Sequence, residues 1–452
     1  MQPLSNRISQ ARAGGAPLPS ERAAPSGAAS SRREVEGSVG AAPGAAPGAA
    51  PDGSADAGPA PTTPHHGGSL ASSGRVDEAF AAQFVHRVRF TRDLFDPANP
   101  LLREALDVDP SSPRRVLVAI DRGVAAAWPA LPQRISAYAA AHPTSMRLVS
   151  DPLVVDGGEQ VKNSHATVDE LLAAVHRHGI DRRSFVVAVG GGAVLDAVGY
   201  AAAIAHRGVR LIRVPTTTLA QDDAALGVKN GINLFGKKNF VGTFAPPWAV
   251  LNDELFPTTL TDRDFRAGLS EAVKVALVRD GTFFGAIERA APRLRARDMS
   301  ATAPVIRRSA ELHLRHIVGG GDPFETKEAR PLDFGHWSAH KLEQLSRFEV
   351  RHGEAVAIGV ALDTLYSARI GWLAASDAER VVAVLEALGL PTSHALLADN
   401  DSLAAGLEEF REHLGGRLTI SLLRSIGAAE DVHRVDVKLM HECMDELARR
   451  AG

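Results

Sequence analysis

The sequence predicts an α/β fold: a parallel sheet flanked by helices, followed by a mostly helical half. Three observations carry this. Apolar β-like runs alternate with helix-periodic segments between residues 115 and 214, the pattern of parallel strands with helices on both faces. The run Phe185-Val-Val-Ala-Val189 ends in Gly190-Gly191-Gly192, and the residues beyond it suit a helix start. After Asp253 few β-like runs remain, and helical spacing prevails from about residue 262 to the C-terminus.

The elements follow in order. Residues 1–75 are dominated by Ala, Gly, Pro and Ser, as in Gly40-Ala-Ala-Pro-Gly-Ala-Ala-Pro-Gly-Ala-Ala-Pro51. That composition buries little apolar surface, so the segment is expected to be a disordered tail or the product of a start codon placed too far upstream. It lacks the apolar core of a secretory signal, and its Pro and Gly content breaks the amphipathic helix of a transit peptide. Globular character begins near residue 78. Arg115–Ile120 reads as a buried strand and Leu153–Val155 as a short one. Thr167-Val-Asp-Glu170 has capping-box spacing and opens a helix through His178. Phe185–Val189 is a strand, the glycines lead a small-residue helix through Ala205, and Val209–Val214 is the next strand. We therefore expect one domain over residues 78–256 and a helical one over 257–452, with a ligand cleft between them.

Composition excludes several classes. The 50 Lys and Arg against 53 Asp and Glu leave a net charge of −3, so the chain as a whole has no pull toward nucleic acid or an anionic membrane. A single cysteine, Cys443, rules out an internal disulfide and fits a reducing compartment, the cytoplasm. No apolar run approaches the roughly 20 residues needed to span a bilayer.

Four groups of residues carry possible chemistry. The glycine triplet exposes backbone amides at a helix N-terminus, where a pyrophosphate fits. Near it in the pattern, Asp121 just past a strand, with Glu159 and Lys162 in a second glycine-rich turn, reads either as ribose-binding residues or as solvated surface charges. The second group runs from Pro215 to Asn233 and on to Asn239. It is dense in hydroxyls, amides, two acids and three lysines, a chemistry suited to phosphate and polyhydroxy ligands, or else to a long polar loop. In the third, Glu271 and Lys274 are three apart and share a helix face, as a surface ion pair or as site residues. In the fourth, His336 and His340 are four apart, with His352 further on. The His-x-x-x-His pair is by itself a weak metal signal, but Glu271, His336 and His352 together would give a two-histidine, one-carboxylate metal set.

These motifs occur in one order: the glycine turn with Asp196, Val-Pro-Thr-Thr, Asp223 six residues before Lys229, Gly-Lys-Lys-Asn, Gly-x-x-Glu-x-x-Lys, Phe-Gly-His-x-x-x-His and His-Gly-Glu-Ala-Val-Ala. The series resembles the 3-dehydroquinate synthase family of sugar phosphate cyclases over most of residues 115–425. The resemblance implies a Rossmann-like NAD domain followed by a helical metal-binding domain. It implies NAD contacts from Asp121, Glu159, Lys162, Gly191, Gly192, Asp196, Thr216 and Thr217, and a zinc or cobalt ion on Glu271, His336 and His352. Asp223, Lys229, Lys238, Asn239 and Lys274 would line the substrate pocket, and His340 would assist proton transfer. Arg207 would reach a substrate phosphate, in this family often across a homodimer interface. The implied reaction is phosphate elimination and aldol closure of a sugar phosphate to a carbocycle, without net redox change.

Departures from the family pattern leave the substrate open. Asp333 stands where dehydroquinate synthases usually carry Asn, which is more like cyclases acting on sedoheptulose 7-phosphate. Yet His340 stands where those usually carry proline. Arg330 lies one residue closer to His336 than the family arginine. One family lysine has only Arg315 or His313 as a replacement, and a later one only Arg411 or His413. The Gly-Val-Lys-Asn-Gly-Ile-Asn and Phe-Gly-Lys-Lys-Asn segments look closest to a divergent branch, the cyclase of Ebo-type gene clusters. A glycerol or iron-alcohol dehydrogenase-like oxidoreductase is the rival class.

Overall fold

The computed structural model describes residues 77–106, 112–235, 237–320, 324 and 331–450. The tail expected over residues 1–75 lies outside them, as does Arg330. Strands β1 (Val88–Thr91), β2 (Arg114–Asp121), β3 (Met146–Leu148), β4 (Leu153–Val155), β5 (Phe185–Gly190) and β6 (Arg210–Pro215) alternate with helices α1 (Leu101–Ala105), α2 (Arg122–Ala127), α3 (Leu131–Ala141), α4 (Ala166–Arg177) and α5 (Gly192–Ile204). An antiparallel hairpin, β7 (Lys229–Leu234) and β8 (Lys237–Phe244), precedes β9 (Ala249–Asp253). The large sheet runs β1-β9-β6-β5-β2-β3, with β4 also on β2, and every pairing in it is parallel.

Period-2 side-chain alternation explains how the strands become apolar on both faces. Leu117, Ala119, Val186, Ala188 and Leu211 pack against α4 and α5 through Val168, Leu171, Val194 and Val198. Val116, Val118, Ile120, Val187, Val189 and Ile212 face Leu131, Ile135 and Tyr138 of α3 on the other side. The register sets Gly190 opposite Pro215, so the glycine turn and Thr216-Thr217 share the C-terminal edge of the sheet. Ligands of open parallel sheets bind at that edge.

The helical part comprises α6 (Asp262–Arg279), α7 (Gly281–Arg295), α8 (Met299–Gly319), α9 (His336–Leu345), α10 (His352–Arg369), α11 (Ala375–Ala387), α12 (Asn400–His413) and α13 (Val437–Arg450). α10 is its axis. Val356, Ile358, Val360, Leu362 and Leu365 are buried all round that helix, among α6, α9, α11 and α13. The sheet and the helical part belong to one contact-connected unit that begins at Phe80.

Three local expectations change. The capping box at Thr167 does not form: α4 starts at Ala166, whose N–H donates to Ser164 Oγ at 3.0 Å, while Thr167 is buried. The polar stretch after Lys229 becomes the β7–β8 hairpin. A second antiparallel hairpin, β10 (Ile420–Ser425) and β11 (Ala428–Val432), stands in the half read as helical, with Leu422 and Leu423 in its core. Among the described residues, no helix is long and apolar enough to cross a membrane.

Candidate active site

The glycine turn is built as its sequence suggests. A Cβ on Gly190 would stand 2.9 Å from Val194, and no side chain caps the N-terminus of α5. The first-turn amides of this helix, Gly192 included, therefore remain available for an anion. Gly191 is its N-cap and packs toward Thr217, whose Oγ1 accepts from Ala220 N at 3.1 Å. Thr216 is buried beside it. Lys162 is buried and donates to Asp196 Oδ2 at 2.7 Å and to the side-chain oxygen of Asn239. Glu159 Oε1 accepts from Asn233 Nδ2 at 3.1 Å, and Asn233 Oδ1 accepts from Asn239 N at 2.9 Å. The β7–β8 hairpin is thus laced to the Glu159–Lys162 segment and, through Lys162, to Asp196 on α5. Asp121 is occupied as the N-cap of α2, accepting from Gly123 N at 2.7 Å.

The second half of the site gathers on three helices. α6 is buried along Gly268–Val278, and this brings Glu271 (1% exposed) and Lys274 (3%) inside as a pair at 2.5 Å. His336 opens α9 and His352 opens α10. Their Nε2 atoms lie 3.7 and 3.6 Å from Glu271 Oε1. Burial lowers the pKa of His336, with Lys274 and the neighbouring imidazoles adding to the effect, so it stays a neutral donor. Burial also works against charge on Lys274, but Glu271 and Asp223 outweigh it and hold the ammonium protonated. His340 lies one turn along α9, its ring 5.5 Å from that of His336 and stacked 6.0 Å from that of His352.

Glu343, on the same face of α9, accepts from Lys238 Nζ at 2.8 Å and faces His352 Nδ1 at 3.2 Å. Burial raises its pKa, but His352 and Lys238 reverse this and bring it to about 2. Asp223 pairs with His313 Nδ1 at 2.9 Å; burial opposes its charge, yet His313 and Lys274 hold it well below the usual carboxylate range. Asp333 is close enough to Lys274 to help keep that lysine charged. Lys229 opens β7 at its exposed end.

The glutamate fits a metal. Glu271 Oε1 is buried, has no hydrogen-bond partner, and faces two imidazole nitrogens, a donor set suited to zinc or cobalt. The glycine cradle and the uncapped α5 fit a dinucleotide pyrophosphate.

The structure does not bring Arg207 to this cluster. It precedes β6, at the end of the strand opposite Pro215, roughly 17–20 Å from the glycine turn across a six-residue strand. Sequence reasoning passed over Glu343 and Arg213. Glu343 was detectable, since it lies three residues after His340 and seven after His336, at helical spacing. Arg213 gave no signal, because one charged residue inside a strand does not announce its partners.

A metal-competent helical half set against the C-terminal edge of a parallel sheet defines the architecture of the cyclases and metal-dependent dehydrogenases. Profile matches narrow it: the description "3-dehydroquinate synthase N-terminal" fits residues 152–267 and "3-dehydroquinate synthase C-terminal" fits residues 268–410. A 3-dehydroquinate synthase of Rhodopseudomonas palustris (strain BisB18) is 36% identical over 346 residues, 74% of this chain and 87% of that protein. A 2-epi-5-epi-valiolone synthase of Streptomyces glaucescens is 33% identical over 370 residues, 80% of this chain and 92% of that one. Among solved structures, the 2-epi-5-epi-valiolone synthase of Streptomyces hygroscopicus subsp. jinggangensis 5008, with NAD+ and Zn2+ bound, superposes with a TM-score of 0.74 at 31% identity, covering 83% of this chain and all of that one. A 2-deoxy-scyllo-inosose synthase complexed with carbaglucose-6-phosphate, NAD+ and Co2+ superposes at 0.65 and 25% identity, over 79% and 96% of the two chains. This chain belongs to the 3-dehydroquinate synthase family, within the sugar phosphate cyclases.

Proposed function

We propose that the protein is an NAD- and divalent-metal-dependent sugar phosphate cyclase that eliminates phosphate from a seven-carbon sugar phosphate and closes a carbocycle by an intramolecular aldol step. The observation that carries this is the convergence of Glu271, His336 and His352 on one buried, unpartnered carboxylate oxygen beside Lys274. Relatives with bound NAD+ and Zn2+ or Co2+ support the cofactor assignment. When bound, NAD supplies reversible hydride chemistry and the metal supplies a Lewis acid.

The chain's own residues do the rest. Gly191, Gly192, Thr216 and Thr217 border the pyrophosphate, while Lys162, held by Asp196 and Asn239, fixes the near wall of the cleft. Lys274 is kept cationic and stabilises enolate charge as the neighbouring C–H is deprotonated. Lys229 and Lys238 offer positive charge to the departing phosphate. Asp223, held ionised by His313, orients substrate hydroxyls. His340, stacked on His352 at the exposed side of the cluster, is placed to move protons at those hydroxyls. Arg207 sits away from its own chain's site, which fits a homodimer in which it serves the partner's. A single thiol, Cys443, fits the cytoplasm.

Two substrates are in play. His340 favours a 3-dehydroquinate synthase-like reaction on 3-deoxy-arabino-heptulosonate 7-phosphate. Asp333, beside Lys274, favours sedoheptulose 7-phosphate. Incubating the purified protein with each and measuring inorganic phosphate tests the reading. Phosphate release from one of them without accumulating NADH is expected. Steady NADH formation on a simple polyol, with no phosphate released, would instead establish a dehydrogenase.

A further inference from the structure

We infer that Glu343 is a positioning residue through which metal binding at His352 and anion binding at Lys238 are coupled. The inference rests on the metal and substrate reading just given. Glu343 is 4% exposed and divides its carboxylate between two partners. Oε2 faces His352 Nδ1 at 3.2 Å, and Oε1 accepts from Lys238 Nζ at 2.8 Å. With Nδ1–H donated to Glu343, the lone pair of His352 is on Nε2, the atom that faces Glu271 Oε1 at 3.6 Å. A carboxylate behind a ligating imidazole fixes its tautomer and ring orientation and raises its basicity.

The lysine side adds the coupling. Lys238 is held between Glu343 and the ring of Phe348, with Nζ 4.8 Å from the ring centroid, and its side chain is 31% exposed. An anion in the cleft can therefore reach it. Drawing the ammonium from Glu343 leaves more of the carboxylate charge on His352, which strengthens Nε2 as a metal donor. By reciprocity, bound metal then favours the anion by the same factor.

A different arrangement is possible on the same atoms. His340, Glu343 and His352 also lie within ligating distance of one another and would form a second cation site. Lys238 argues against it, because its ammonium already occupies Glu343.

The experiment is a titration of metal-free protein with Co2+ against a chromophoric chelator, with and without inorganic phosphate. The wild-type chain is expected to bind one equivalent, more tightly when phosphate is present. Glu343→Gln, similar in size, should weaken Co2+ binding 10–100-fold and abolish the phosphate effect. Lys238→Met should bind Co2+ at least as tightly as wild type and lose the phosphate effect. Glu343→Gln within twofold of wild type, or Lys238→Met binding more weakly, would overturn the link while leaving the metal site intact. Loss of one of two equivalents in Glu343→Gln would make Glu343 a ligand and also overturn it. A wild-type chain that binds no Co2+ removes both the link and the functional reading. If Glu343→Gln does not fold, the Lys238→Met titration still decides.

Discussion

Gly359 of α10 meets Gly335, the residue before α9, backbone against backbone. A Cβ on Gly359 would stand 2.0 Å from Gly335 O, and Gly335 has φ +77°. This contact lets α9 start against the middle of α10. It is how His336 and His352, sixteen positions apart, come to have ring centroids 5.5 Å apart.

Gly359→Ala should therefore injure the site through the packing of two helices. The added methyl has no room, and overpacking of this kind costs about 1–3 kcal/mol or more. Urea unfolding should show that loss, and Co2+ titration of the folded fraction should show weaker binding. Full stability with unchanged affinity would mean the two helices are free to separate.

Arg213 holds a segment of the site from inside the sheet. It is 0% exposed, and its guanidinium donates to Ala225 O at 2.9 Å, to Gly227 O and Lys229 O at 2.8 Å, and to Asn230 Oδ1 at 2.8 Å. Three of those acceptors lie in the stretch joining Asp223 to Lys229, and the fourth is on the next residue. Arg213→Met removes the donor from the buried Ala225 O and Asn230 Oδ1 and from the partly buried Gly227 O and Lys229 O, at a cost of about 1–3 kcal/mol for a single orphaned buried group. A drop of at least about 3 kcal/mol in unfolding free energy is expected, with faster proteolysis between residues 224 and 230. Arg213→Lys should recover little, since a single ammonium cannot span the fork.

Asp363 makes stability depend on pH. It is fully buried on α10, accepting from Gly335 N and Trp337 Nε1, both at 2.9 Å. Burial raises its pKa to about 7, and the two hydrogen bonds only partly oppose this. The folded protein therefore holds a proton that the unfolded chain releases near pH 4, so this contribution is full below pH 4 and declines as pH rises to about 7. The difference amounts to up to about 4 kcal/mol. Unfolding free energies measured from pH 4 to pH 8 should fall less steeply for Asp363→Asn than for wild type, even if that variant is less stable at pH 4. Parallel profiles would show that Asp363 is ionised throughout.

Much of the site was legible because its chemistry is local. The glycine turn, Glu159 with Lys162, and the Glu271-x-x-Lys274 pair each declare themselves within a few residues, and helix and strand geometry then bring them together. The boundaries of β2, β4, β5 and β6 were read to within a residue or two, because an uninterrupted apolar run between helices has few other uses. The capping box at Thr167 misled because the helix begins a residue earlier, where Ser164 accepts from the Ala166 amide, and the apolar face of α4 draws Thr167 inward. The β7–β8 and β10–β11 hairpins were missed because antiparallel pairing depends on a partner strand that local periodicity does not reveal.

The sequence by itself determined the layer order, the glycine cradle and the kinds of side chain available for chemistry, since these follow from periodicity, backbone freedom and ionisable groups along a short stretch of chain. Only the tertiary structure decided that Glu271 and Lys274 are an interior pair, that Glu343 serves both His352 and Lys238, that Arg213 anchors the Asp223–Lys229 segment, and that Arg207 stands away from its own site. Burial and charge pairing are properties of what surrounds a residue, and those surroundings are assembled from segments far apart in the chain.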